Sequence, residues 1–204
     1  MTNIQNLFDE VQECHKCYGE NPIYVPCPDP KNALESAQIM FVNERPGRIG
    51  TGESGYVSFE NNDPSAEFFR ACFYQLDIDR KQIFITNACL CHPDFPEYRD
   101  KAPLRREIVN CHEWLSKQLS IMQPKLIVTI GGIALKSMKL LFPSSEQFKT
   151  FQLKKDIGKV IRDTTPWVYP LYHTSWRGRT HRDAEKQKGD WLKIPSIIEE
   201  INGQ

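Results

Sequence analysis

Four short, almost wholly apolar runs dominate the pattern of this chain: "QIMFVNE" (38–44), "KQIFITNACLC" (81–91), "PKLIVTIGG" (124–132) and "WVYPLYH" (167–173). Each is short for a helix and rich in β-branched or aromatic residues. A strand that is apolar on both faces must be covered on both faces, which is the signature of a parallel sheet between helical layers. The segments between the runs supply those layers. "DPSAEFFRACFYQL" (63–76) opens with Asp63 as N-cap and Pro64 at the first helical position. "REIVNCHEWLSKQLSIM" (106–122) carries Ile108, Cys111, Leu115, Leu119 and Met122 on one stripe. "IALKSMKLLF" follows the third run. The expected fold is a three-layer α/β/α sandwich with a central, mainly parallel four-stranded sheet, in one domain over residues 1–204.

The outlying segments read less regularly. Residues 1–20 are expected to form a short helix ending in the Cys14–Cys17 pair. Residues 21–37, with Pro22, Pro26, Pro28 and Pro30, read as loop, and so does the polar stretch 92–105. "KVIRD" (159–163) is expected to add a further strand, and "GDWLKIPSIIEEI" to close the chain as a proline-interrupted helix.

Sheets of this kind bind ligands beyond the carboxyl ends of their strands. The segments that fall there are 43–59, 87–93 and 173–182. The first contains "NERPGRIGTGESG", with glycines at 47, 50, 52 and 55 and carboxylates at Glu44 and Glu53. It has no Walker lysine after its glycines and misses the G-x-G-x-x-G order of a dinucleotide loop.

The seven cysteines fall in a chain whose N-terminus, "MTNIQNLFDEVQECHKC", lacks the basic-then-apolar pattern of a secretory leader. No apolar run approaches the roughly 20 residues of a membrane span. A soluble cytoplasmic protein is expected, in which clustered cysteines serve as metal ligands or core residues rather than disulfides. Cys14 and Cys17 form a CxxC, with Cys89, Cys91 and Cys111 far downstream. Four thiolates suit zinc or an iron–sulfur cluster, and the wide separation departs from compact zinc-ribbon spacing. Cys27 and Cys72 read as structural. Acidic and basic residues balance at 26 each, so net charge gives no support for nucleic-acid binding.

Five segments together resemble the iron–sulfur-containing family 4 of the uracil-DNA glycosylase superfamily. They are "NERPG" (43–47), where the family has a motif like GEAPG; "ITNACLC" (85–91); Cys111 in "EIVNCHEWL"; "PKLIVTIGG"; and "LYHTSWRGR" (171–179) after the last strand. The order and spacing match from Cys14 to Trp191. The resemblance implies a [4Fe–4S] cluster of structural role on Cys14, Cys17, Cys91 and Cys111, with Cys89 the rival to Cys91 and residues 1–37 as the cluster-binding segment. It implies a monofunctional enzyme that acts as a monomer on DNA, with no membrane partner. The chain departs from the motif at Asn43, where the family has glycine, at Arg45, where it has alanine, and at Thr174, where proline is common.

Excising a base breaks an N-glycosidic bond through a cationic sugar and an anionic leaving base, after the nucleotide is flipped from the stack. In that chemistry Glu44 is expected to position water or stabilise the sugar cation. Asn87 offers a donor and an acceptor matching O4 and N3–H of uracil. His173 is expected to donate to O2. Tyr56 or Phe59 would stack on the base, and the glycines, Gly47 first, leave room for close backbone approach. Arg177, Arg179 and Arg182, with Trp176 and His181, form a basic segment suited to phosphates and to an aromatic wedge. Two other readings compete. One is a catalytically weak nucleic-acid binding module, in which Arg45 pairs with Glu44. The other is an unrelated α/β nucleotide-processing enzyme.

Overall fold

Thr2 starts the first helix by a reciprocal cap: its hydroxyl accepts from Gln5 N while the Gln5 side chain accepts from the Thr2 backbone. The computed structural model describes residues 2–94 and 101–203. Helix α1 spans Asn3–Gln12 and stops short of Cys14, so the Cys14–Cys17 pair lies in turns beyond the helix rather than at its end. Two-residue strands β1 (Ile23–Tyr24) and β2 (Cys27–Pro28) follow. Then come β3 (Ile39–Asn43), α2 (Gly50–Ser54), β4 (Tyr56–Val57), α3 (Pro64–Phe73), β5 (Ile83–Asn87) and β6 (His92–Pro93). Residues 95–100 of the expected 92–105 loop lie outside the described residues. Helix α4 (Arg105–Met122) leads to β7 (Leu126–Ile130), α5 (Gly132–Leu141), α6 (Glu146–Thr150) and α7 (Leu153–Asp156). The chain finishes with β8 (Trp167–Leu171), α8 (Trp176–His181), α9 (Ala184–Trp191) and α10 (Ile194–Asn202).

β5, β3, β7 and β8 form one sheet in that order, all parallel, with Ile39 opposite both Ile83 and Leu126, and Leu126 opposite Trp167. Alternate residues enter two separate cores. Met40, Val42, Phe84 and Ile127 pack toward α1, α4 and α5, while Ile39, Phe41, Ile83, Ile85 and Val128 pack toward α3, α9 and α10. The three-layer reading of the apolar runs holds. β1 with β6, and β2 with β4, make two small pairings outside this sheet.

Two local expectations change. Segment 159–163 contributes a single bridge, Ile161 to Val168, rather than a strand. The closing helix divides into α9 and α10, with Pro195 in the first turn of α10, where its missing N–H costs no hydrogen bond. Beneath the sheet's carboxyl end lies an aromatic core: Phe41 meets Phe69 edge-on at 5.2 Å and stacks on Trp191 at 5.4 Å. Each such ring stabilises by about 1.5–3 kcal/mol through burial. Phe69 also reaches the cavity described next, so this core sets one wall of the site.

The candidate active site

The carboxyl ends of the strands deliver the chemistry. β3 and β5 end side by side with Asn43 opposite Asn87, β7 runs into Gly131, and β8 into Tyr172 and His173. Between them is a cavity of about 160 Å³. Asn43, Asn87, Asp63 and His173 give it polar walls, and Phe59 and Phe69 give it aromatic ones. An apolar cavity of about 150 Å³ holds benzene, so this space suits one six-membered ring. A wider groove of about 690 Å³ adjoins it and shares Arg45, Pro46, Gly47, Ser65 and His173. Glu44, Trp176, Arg177 and His181 line that groove.

Asn87 is 3% exposed, and its Nδ2 has no hydrogen-bond partner among the described residues. A buried amide donor left unpaired costs about 1–3 kcal/mol, which a ligand acceptor in the cavity would relieve.

His173 is held by close packing. A Cβ on Gly178 would sit 1.7 Å from the His173 carbonyl oxygen, and one on Gly131 would sit 3.1 Å from the His173 Cβ. Gly131 also has φ +97°, which disfavours any side chain. Ser175 N donates to Nδ1 of the imidazole at 3.0 Å. Burial pushes the His173 pKa down, and the charge of Asp63 partly opposes it.

Glu44 stands in the groove beside the cavity. Burial pushes its pKa up, against the nearby charges of Arg45, Arg177 and Lys136. Arg45 does not pair with it. Its guanidinium donates to Tyr18 Oη at 3.0 Å and to the Lys101 carbonyl at 3.1 Å, and stands 3.4 Å from Glu107 Oε2. Tyr18 in turn donates to Glu107 Oε1, and burial with this bond keeps the phenol protonated. The ion pair on which the binding-module reading rested is therefore directed elsewhere.

The two aromatic candidates separate. Phe59 is buried and lines the cavity, with Arg80 over its ring at 4.4 Å, whereas Tyr56 is exposed and outside the cavity wall. The three arginines separate too. Arg177 faces the groove. Arg179 donates to the Thr174 carbonyl at 2.6 Å and lies over the Phe68 ring at 5.0 Å. Arg182 makes a two-pronged bond to buried Asp190. The basic segment is thus half internal bracing, organised as helix α8 with Ser175 as its cap.

The glycine-rich segment is a turn and short helix pinned from both sides: Thr51 Oγ1 donates to the Gly47 carbonyl and Tyr24 Oη to the Thr51 carbonyl. Gly47 lines both cavities with open space around its Cα. Gly50 has a different reason for being glycine, since a Cβ there would lie 2.1 Å from Asp63 Oδ2. Asp63 caps α3 as expected, its Oδ1 accepting Ser65 N and Ala66 N at 3.0 Å each. Sequence reasoning missed that the same carboxylate lines the cavity and faces His173.

Burial, and the nearby thiols of Cys111, Cys17 and Cys14, push the Cys91 thiol up, and Cys17 is raised by burial with help from Cys111 and Cys14. Asn110 Nδ2 approaches Cys17 Sγ at 3.4 Å. Cys89 differs in its contacts: it is hydrogen-bonded to Cys111, which draws the Cys111 thiol down, and it packs in the core beneath α4. Among the described residues no three His, Cys, Asp or Glu side chains are gathered closely enough to hold a single metal ion. In kind, the donor set fits a thiolate-ligated group: four soft ligands from the N-terminal segment, the loop after β5 and helix α4, with an N–H directed at one sulfur.

Residues 30–194 match the family model of the uracil DNA glycosylase superfamily. The chain belongs to this superfamily. Within it, the chain is 30% identical to the type-4 uracil-DNA glycosylase of Sulfurisphaera tokodaii, over 85% of this chain and 74% of that protein. It is 27% identical to the type-4 uracil-DNA glycosylase of Archaeoglobus fulgidus, over 97% and 94%. The fold is similar to the crystal structure of Pedobacter heparinus SMUG2, with a TM-score of 0.55, 15% identity, and coverage of 97% and 99%. Superfamily membership overturns the reading of an unrelated nucleotide-processing enzyme. No helix among the described residues is long and apolar enough to cross a membrane.

Proposed function

We propose that this chain is a DNA base-excision glycosylase, hydrolysing the N-glycosidic bond of uracil or another deaminated base in DNA and acting as a monomer. The observation that carries the reading is Asn87: a buried amide without a partner among the described residues, on a cavity sized for one ring, in a chain of the uracil DNA glycosylase superfamily.

In this reading the flipped base enters the smaller cavity against Phe59, and Asn87 donates to its O4 while accepting N3–H. His173 Nε2–H donates to O2, where negative charge develops as the bond breaks. Glu44, at the mouth, holds the attacking water or the cationic sugar. Arg177 meets a phosphate and Trp176, 70% exposed, enters the stack left by the flipped base. Cys14, Cys17, Cys91 and Cys111 would hold a [4Fe–4S] cluster, which when bound supplies a covalent cross-link and no step of the chemistry.

The test is cleavage of oligonucleotides carrying uracil, hypoxanthine or xanthine, read as abasic sites on a denaturing gel. Abasic product from uracil is expected. If none of the three substrates yields product, the enzyme reading falls.

A further inference from the structure

We propose that Arg45 is a positioning residue for Glu44, tying the loop after β3 to the cysteine-bearing N-terminal segment through Tyr18 and Glu107. The inference rests on the base-excision reading of the site.

The main chain is fixed up to Glu44: Ala88 N donates to the Asn43 carbonyl at 2.8 Å and Cys89 N to the Glu44 carbonyl at 3.1 Å. Beyond Arg45 it turns away through Pro46 and Gly47. The direction of that turn depends on where Arg45 is held. Its side chain is 7% exposed and borders both cavities. It ends between two residues that belong to the cysteine framework. Tyr18 is the neighbour of Cys17, and Glu107 lies one helical turn before Cys111 on α4. Tyr18 and Glu107 are themselves buried and bonded to each other, and Glu107 Oε2 also accepts Leu104 N at 2.6 Å. The guanidinium has five N–H donors in a fixed plane, so two hydrogen bonds, to Tyr18 and the Lys101 carbonyl, and an ion pair with Glu107 fix its orientation as well as its place. A buried pair of this kind is weak evidence for added stability. What it supplies here is direction: the catalytic loop and the N-terminal segment share one anchor. The charge of Arg45 also favours the ionised form of Glu44 against the effect of burial.

The experiment is single-turnover excision of uracil at saturating oligonucleotide, with oligonucleotide affinity, iron content and melting temperature measured alongside, for Arg45→Ala, Arg45→Lys and Tyr18→Phe. A misplacement of about 1 Å in a reacting group costs about 100-fold in rate. Arg45→Ala is therefore expected to lose about that factor in the chemical step while affinity and iron content hold. Arg45→Lys, which keeps the charge and reaches Tyr18, is expected to recover part of the loss. An unchanged rate in Arg45→Ala overturns the proposal. So does a parallel fall in rate, affinity and melting temperature that lysine does not rescue, since that is a structural role alone. If Arg45→Ala does not fold, Tyr18→Phe decides, because it keeps every charge and removes one oxygen; a wild-type rate there also overturns the proposal. A wild-type protein that yields no abasic product sinks the base-excision reading and this inference with it, whereas active wild type with unaffected variants sinks this inference only.

Discussion

His173 accepts the backbone N–H of Ser175 on Nδ1 at 3.0 Å. In the neutral ring that bond leaves the proton on Nε2. The imidazole is thereby fixed as a hydrogen-bond donor toward a ligand without carrying charge of its own. Two substitutions test the arrangement from different sides. His173→Ala removes the donor and is expected to lower single-turnover excision by about 100- to 1,000-fold, the usual loss for one donor to a developing anion, with little change in melting temperature. Gly178→Ala leaves the ring intact but drives a methyl into the His173 carbonyl. It is expected to lower stability by about 1–3 kcal/mol and to lose activity with it. A Gly178→Ala protein that melts and cuts like wild type would show that the contact yields easily.

Asn87→Ala is expected to cut excision of uracil by about 5- to 150-fold, the kinetic equivalent of about 1–3 kcal/mol for a lost buried hydrogen-bonding group. The same change removes a donor that is unpaired among the described residues when the cavity is empty. The free protein is therefore expected to be as stable as wild type or slightly more so. Thermal melting with and without free uracil checks both halves. Uracil should raise the melting temperature of wild type more than that of the variant.

These predictions depend on features that differ in how far the sequence discloses them. The four strands were legible because burial on both faces leaves an uninterrupted apolar run, and Asn87 and His173 followed from lying at strand ends within recognisable motifs. Partners were not legible. Arg182 looks like a DNA contact until α9 folds back and presents Asp190. Arg45 looks like a partner for Glu44 until Tyr18 and Glu107 arrive from distant segments. Asp63 was visible as a cap because capping is local, but its place on the cavity wall depends on Gly50 approaching from another turn. Phe59 comes only three residues after Tyr56, and packing against Phe69 and Phe73 turns it inward.

Activity is expected to fall on the acid side as Glu44 takes up a proton. Because burial raises its pKa, the midpoint of that limb should lie above the ordinary carboxylate value of about 4.3. His173 has its pKa lowered, so it remains neutral at pH values where an ordinary histidine is charged. Its depressed pKa contributes stability that is present above its unfolded value and is lost as pH falls through the folded one. Rate against pH for wild type, Glu44→Gln and Arg177→Ala checks the assignment. The limb should vanish in Glu44→Gln and move to higher pH in Arg177→Ala, which removes one of the opposing charges. A limb that persists in Glu44→Gln belongs to another group.

The two similar-looking cysteines near β5 are expected to behave differently. Cys91 lies within electrostatic reach of Cys111, Cys17 and Cys14, whereas Cys89 is hydrogen-bonded to Cys111 and packs in the apolar core. Cys91→Ser should therefore lose bound iron and visible absorption, while Cys89→Ser should retain both with a modest loss of stability. Iron analysis on protein purified without oxygen makes the comparison, and the reverse pattern would exchange the two assignments.

Arg177 and Arg182 should separate in salt-dependent binding. Arg177 faces the groove. If it neutralises one phosphate, Arg177→Ala should reduce the slope of log affinity against log salt by about 1, and leave stability within about 0.5 kcal/mol. Arg182→Ala strands Asp190, whose side chain is 4% exposed, without its cation. Breaking one side of such a pair costs about 3–5 kcal/mol when both charges are buried, and somewhat less here because Arg182 is itself 24% exposed. The melting temperature should fall while the salt slope of the folded protein stays at the wild-type value. A reduced slope in Arg182→Ala would return that arginine to the DNA surface, and an unchanged slope in Arg177→Ala would mean that the groove meets its phosphates elsewhere.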